Sequence, residues 1–132
     1  MKKKIMSAVL ALVMLLSISA SAVSIMPLWD NADSCVPTLK FSGDTAICTV
    51  DVKGAVGTSR ITTTMTLQKQ NANGSYSDVH IWGTDVTYGQ SATRTEFSTD
   101  CASGNYRLVC KVTVYDADGV GETITVEATA KN

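Results

Sequence analysis

Histidine occurs once in these 132 residues, and its scarcity excludes more chemistry than any other feature of the chain. A hydrolytic triad would have to be built on His80, and no serine stands in a nucleophile elbow to serve it. His80 is expected on a strand surface, stacked beside Trp82. Metal chemistry is equally short of donors. The four cysteines contain no C-x-x-C knuckle, and one histidine cannot complete a zinc set. Asp116-Ala117-Asp118-Gly119 echoes the opening of a calcium loop, but the residues from Val120 onward lack the remaining oxygen ligands and the distal glutamate. A hairpin turn is expected there, and neither a metal nor a cofactor is expected anywhere.

Also missing are a helical period beyond Pro37 and a second long apolar run. The one such run lies at the start, MKKKIMSAVLALVMLLSISASAVS. Lys2, Lys3 and Lys4 precede an apolar stretch from Ile5 to Ile18, and Ala20-Ser21-Ala22 follows as a small-x-small cleavage site. Residues 1–22 are expected to be a secretory signal peptide. The run falls short of the roughly 20 residues that span a bilayer, so no stable membrane insertion is expected after cleavage. No cysteine follows it closely, which argues against a lipoprotein.

Without the leader, residues 23–132 carry eight basic against twelve acidic residues, a net charge of −4. That balance leaves no basic footprint for nucleic acid. Cys35, Cys48, Cys101 and Cys110 all remain, and an even number in an exported chain predicts two disulfides. The 110 residues suffice for one core, so a short arm at 23–34 and a single domain at 35–132 are expected.

What the chain has in quantity is pleated-sheet residues. Residues 23–132 hold seventeen threonines among many valines, with turn signals recurring every 8–12 residues or so, the pattern of an all-β sandwich. Seven segments are expected, at about 36–42, 45–53, 59–69, 76–82, 91–98, 105–115 and 120–130. Inward rows are Leu39 and Phe41; Ala46, Cys48, Val50 and Val52; Ile61, Thr63, Met65 and Leu67; and Tyr106, Leu108, Cys110, Val112 and Val114. The fourth segment is ambiguous, and a bulge would let Ile81 and Trp82 both be partly buried. In the fifth, Phe97 is expected inward with Thr93 and Thr95. Asn73-Gly74-Ser75, although a glycosylation sequon, is expected as a tight turn.

Cys48 and Cys110 fall on the inward rows of the second and sixth strands, the positions bridged in an immunoglobulin-type sandwich. Tyr106 opens the sixth strand where a tyrosine corner is expected, four residues before Cys110 rather than two. Cys48–Cys110 is the favoured pairing, leaving Cys35 with Cys101. The alternative is Cys48–Cys101 with Cys35–Cys110.

Thr45-Ala46-Ile47-Cys48-Thr49-Val50, the stretch ITTTMTLQ from Ile61 to Gln68, Tyr76 to Trp82, and Tyr106 to Tyr115 with Gly119 and Glu122-Thr123 resemble short secreted proteins of Gram-positive, clostridia-like bacteria. The resemblance implies an immunoglobulin-like or fibronectin-III-like antiparallel β-sandwich behind a signal peptide. It assigns no activity and no site residue.

A non-enzymatic, extracellular binding module is the function expected, with a protein or a glycan as partner. The expected face is the outward row of the third, sixth and seventh strands: Arg60, Thr62, Thr64, Arg107, Lys111 and Tyr115, extended by Trp82. The second expectation is a structural protein that self-associates by donating strand 36–42 or the arm. The third is a small inhibitor or hydrolase, for which loops as short as 54–57 and 116–119 leave little room.

Overall fold

The computed structural model describes residues 29–132. The expected leader and the arm as far as residue 28 lie outside the described residues. Seven strands follow in order: β1 (Ala32–Ser42), β2 (Thr45–Gly54), β3 (Arg60–Gln70), β4 (Tyr76–Tyr88), β5 (Ser91–Ser98), β6 (Asn105–Tyr115) and β7 (Gly121–Lys131). All pair antiparallel, in two sheets ordered β1-β2-β5 and β4-β3-β6-β7. The fold is the expected immunoglobulin-like sandwich. In constant-type immunoglobulin domains the fourth strand joins the first sheet. Here it extends the second.

Alternation builds the core. The inward rows of β2, β3 and β6 are buried without exception, from Ala46 to Val52, Ile61 to Leu67 and Tyr106 to Val114. Thr63 is buried among them because it keeps phase with Ile61 and Met65. The tyrosine corner is present: the Tyr106 hydroxyl donates to the Ala102 carbonyl, and the ring packs 5.0 Å from that of Phe41.

Two hairpins in the four-stranded sheet share one turn. In Asn71-Ala72-Asn73-Gly74-Ser75 and in Asp116-Ala117-Asp118-Gly119-Val120, the first residue's N–H donates to the fifth residue's carbonyl (2.7 and 2.9 Å). Its own carbonyl accepts from the glycine N–H (3.0 and 3.1 Å). Gly74 (φ 89°) and Gly119 (φ 82°) occupy the left-handed region that favours glycine. The Asp116 carboxylate accepts from the N–H groups of Asp118 and Val120, both at 2.9 Å, which turns it toward backbone.

Four expectations are corrected. First, β1 begins at Ala32, so the last residues of the expected arm are in the sheet. Polar contacts hold them there. The Glu122 carboxylate accepts from the N–H groups of Asp30 and Asn31 (3.0 and 2.9 Å), and the Asn31 side-chain amide donates to the carbonyls of Val114 and Val120 (2.9 and 3.1 Å).

Second, β4 runs six residues further than expected, to Tyr88, and shifts register twice, against Thr63/Met65 and against Leu67/Gln68. A bulge is there, but it buries Trp82 against Met65 and leaves Ile81 59% exposed. Third, β5 has the opposite phase to the one expected. Its register sets Ala92, Arg94, Glu96 and Ser98 opposite Val52, Val50, Cys48 and Ala46, and antiparallel partners share a face. Phe97 therefore points outward beside Ile47 and is 58% exposed.

Fourth, Cys35, Cys48, Cys101 and Cys110 are all buried and stand as free thiols, with no disulfide among them. The favoured Cys48–Cys110 bond is not present, although Cys110 feels the charge of Cys48. Cys48 lies opposite Leu39 on β1, nearer the Tyr106 end of the sandwich than Cys110.

The outer face of the four-stranded sheet as candidate functional site

Register places the outward side chains of β4, β3, β6 and β7 in transverse rows. At one end stand Tyr88, Arg60 and Tyr115. Next come Val86, Thr62, Thr113 and Thr123, then Thr84, Thr64, Lys111 and Thr125. Further along are Ile81, Thr66, Val109 and Glu127, then Asp78, Gln68, Arg107 and Thr129. Arg60, Thr62, Thr64, Arg107, Lys111 and Tyr115 thus share one face, as expected. Trp82 does not join them: it points into the core with the His80 ring stacked on it at 4.4 Å and 9°. His80 is excluded from this face by the same register, since it lies opposite the inward Leu67.

The face is held by its own contacts. The Arg60 guanidinium lies 3.9 Å from the centre of the Tyr115 ring, and Arg107 is 3.9 Å from that of Tyr76. Such stacks are worth about 0.5–1 kcal/mol at exposed positions and, more to the point here, fix the orientation of long side chains. Arg107 Nε donates to Gln68 Oε1 at 2.8 Å, and Gln68 Nε2 donates to Asp78 Oδ1 at 2.9 Å, a relay across three strands. Hydroxyl pairs join Thr64 to Thr84 and Thr113 to Thr123, both at 3.0 Å. Lys111, exposed between threonines, is left without such a partner among the described residues. Beyond Arg107 the face ends in an open depression of about 460 Å³ bordered by Gln70, Tyr76, Asn105 and Lys131.

Charge is unevenly shared. The face carries Arg60, Arg107, Lys111 and Lys131 against Asp78 and Glu127, whereas residues 23–132 as a whole are net acidic. Sequence reasoning missed Tyr88 here and Arg94 within. Tyr88 is 81% exposed and extends the Arg60–Tyr115 row, but its phase is legible only once the two bulges are known. Arg94 reaches across the open side of the sandwich, donating to the Thr63 carbonyl at 2.7 Å and pairing with Glu96 at 3.1 Å. The alternation Ala92-Arg94-Glu96-Ser98 was the available signal, masked by the pull of Phe97 toward a core.

Among the described residues no group of three or more histidine, cysteine or acidic side chains is placed to hold a metal ion. No protein-family model matches the chain, and no curated protein sequence matches it. Solved structures with some similarity include OgpA from Akkermansia muciniphila (TM-score 0.41, 12% identity, 80% of this chain and 30% of that one). β-Glucosidase 3B from Thermotoga neapolitana scores 0.44 at 10% identity, over 87% of this chain and 20% of its own. The sporulation control protein Spo0M of Bacillus subtilis scores 0.39 at 14% identity, over 78% and 49%. The chain spans less than half the length of each, and likeness at this level carries no activity over.

Proposed function

We propose that the mature chain is an exported, non-enzymatic interaction module that binds through the outer face of its four-stranded sheet. One observation carries the reading: aromatic and cationic side chains are held in fixed pairs on a flat face whose charge is opposite in sign to that of the whole chain. Arg and Tyr are favoured at binding surfaces because they combine contact area with hydrogen bonding. The positive excess selects a negatively charged extracellular glycan or protein, and such a field chiefly raises the rate of encounter. Export brings the chain into an oxidising compartment, where disulfides replace the four thiols. Assembly by strand donation has less to support it, since β1 is already packed against β6 and β7 and carries Pro37.

The test is affinity electrophoresis through gels containing polygalacturonate or neutral starch, alongside pull-downs from culture supernatant. Retardation by the acidic polymer, weakened about tenfold by Lys111→Glu or Arg60→Ala, supports the reading, tenfold being about 1.4 kcal/mol. Retention unchanged by both variants but lost with Phe97→Ser, on the opposite sheet, would overturn it.

A further inference from the structure

We infer that on oxidation the chain forms two nested cross-links, Cys35 to Cys110 between the sheets and Cys48 to Cys101 at the Tyr106 end of the sandwich. Two contacts fix how β1 lies over β6. At one end the Asn31 amide reaches the Val114 carbonyl at 2.9 Å; at the other the Phe41 and Tyr106 rings are 5.0 Å apart. Between those two contacts β1 takes ten residues, with a bulge between Ala32 and Ser34, and β6 takes eight; Cys35 and Cys110 both fall in the stretch so bracketed. Both face inward and both are buried, and the backbones of the two strands approach within 8 Å.

The second pair is set by the loop after β5. The Cys101 N–H donates to the Asp44 carbonyl at 2.8 Å, and its thiol to the Ser98 carbonyl at 3.4 Å. Ser98 lies opposite Ala46, the inward neighbour of Cys48 on β2. Cys101 is thus held with its backbone beside Asp44 and its buried thiol beside Ser98, at the end of the inward row that carries Cys48, and a disulfide requires α-carbons within about 7 Å.

Electrostatics follows the same neighbours. Burial pushes the Cys110 thiol up to about 12; after burial Cys35 raises it most and Cys48 next, with Arg94 opposing. Burial pushes Cys48 up to about 12 as well, and there Cys101 is the first charge felt.

Each bond forms by thiol–disulfide exchange with a low-molecular-weight disulfide such as oxidised glutathione. One thiolate attacks a sulfur of that disulfide and releases one thiol; the partner thiolate then attacks the mixed disulfide and releases the second. The pair gives up two protons and two electrons, and the acceptor leaves as two thiols.

The compartment rests on the export reading, but the connectivity does not, so the two are tested apart. The full chain, unfolded and reduced, is refolded with reduced and oxidised glutathione; residual thiols are blocked with N-ethylmaleimide, and the product is digested with trypsin without reduction. Cleavage after Lys40, Lys53, Arg94, Arg107 and Lys111 puts each cysteine on its own peptide. The expected products are the peptide ending at Lys40 joined to 108–111, and 41–53 joined to 95–107. In Cys35→Ser, Cys110 should be the one alkylated residue while the 41–53 link to 95–107 persists. A 41–53 link to 108–111, a link between the peptide ending at Lys40 and 95–107, or four alkylated cysteines after oxidation would overturn the assignment.

Discussion

Single side chains decide several local outcomes, and each is open to measurement. Tyr106 is buried and spends its hydroxyl on the Ala102 carbonyl. Tyr106→Phe keeps the ring against Phe41 and removes that bond, so a loss of about 1 kcal/mol is expected from denaturant midpoints. Gly54 is constrained by space. A methyl group there would collide with the Thr58 hydroxyl oxygen, whose own bond to the Ala55 carbonyl shapes the β2–β3 turn. Gly54→Ala is expected to cost roughly 1–3 kcal/mol through overpacking. Trp82→Ala should unfold or soften the domain, at about 3–5 kcal/mol, because the indole is core and lies off the proposed binding face.

At the scale of the strand, phase is what matters, and β5 gives the sharpest check. An inward Phe97 would cost several kcal/mol to truncate; an outward one costs little. With Phe97 facing solvent, Phe97→Ser should leave stability within about 0.5 kcal/mol. Arg94→Ala should cost about 1–3 kcal/mol by withdrawing a donor from the Thr63 carbonyl and a partner from Glu96.

This strand also shows where sequence reading fails. β2, β3 and β6 alternate cleanly because both of their neighbours are strands and one row is apolar apart from Thr63, so length, face and inward residues were all legible. The edge strands β4 and β5 bury fewer side chains, and local pattern no longer outweighs pairing register. Two bulges in β4 and the inward Arg94–Glu96 pair are products of that register, which becomes visible only when the strands are laid together. The candidate face was legible for the same reason as the core: on β3 and β6, whatever is not inward is outward. Trp82 was misplaced because it lies beyond the first of the bulges.

Across the whole molecule, the thiols tie stability to pH and redox state. In the folded reduced domain burial raises Cys35, Cys48 and Cys110 to about 12, above the ordinary 9.0 they regain on unfolding. A raised acid favours the fold while it stays protonated, so that contribution is complete below pH 9 and is lost as pH rises from 9 to 12. Thermal melts of reduced protein should fall over that range more steeply than those of the oxidised form, which has no thiol to ionise. The same burial keeps the thiolate scarce at neutral pH, so iodoacetamide should label the reduced native domain slowly and label all four cysteines at once in denaturant.

The double kink in β4 has a consequence for life at high concentration. A straight ribbon of thirteen residues along an open margin, bearing Ile81, Val86 and Tyr88, would invite its copy to zip alongside and seed a fibre. Two interruptions of the ladder break the even spacing of free amide and carbonyl groups that such zipping requires. The β4 margin is therefore poorly matched to a copy of itself, leaving the broad face beside it free for something else.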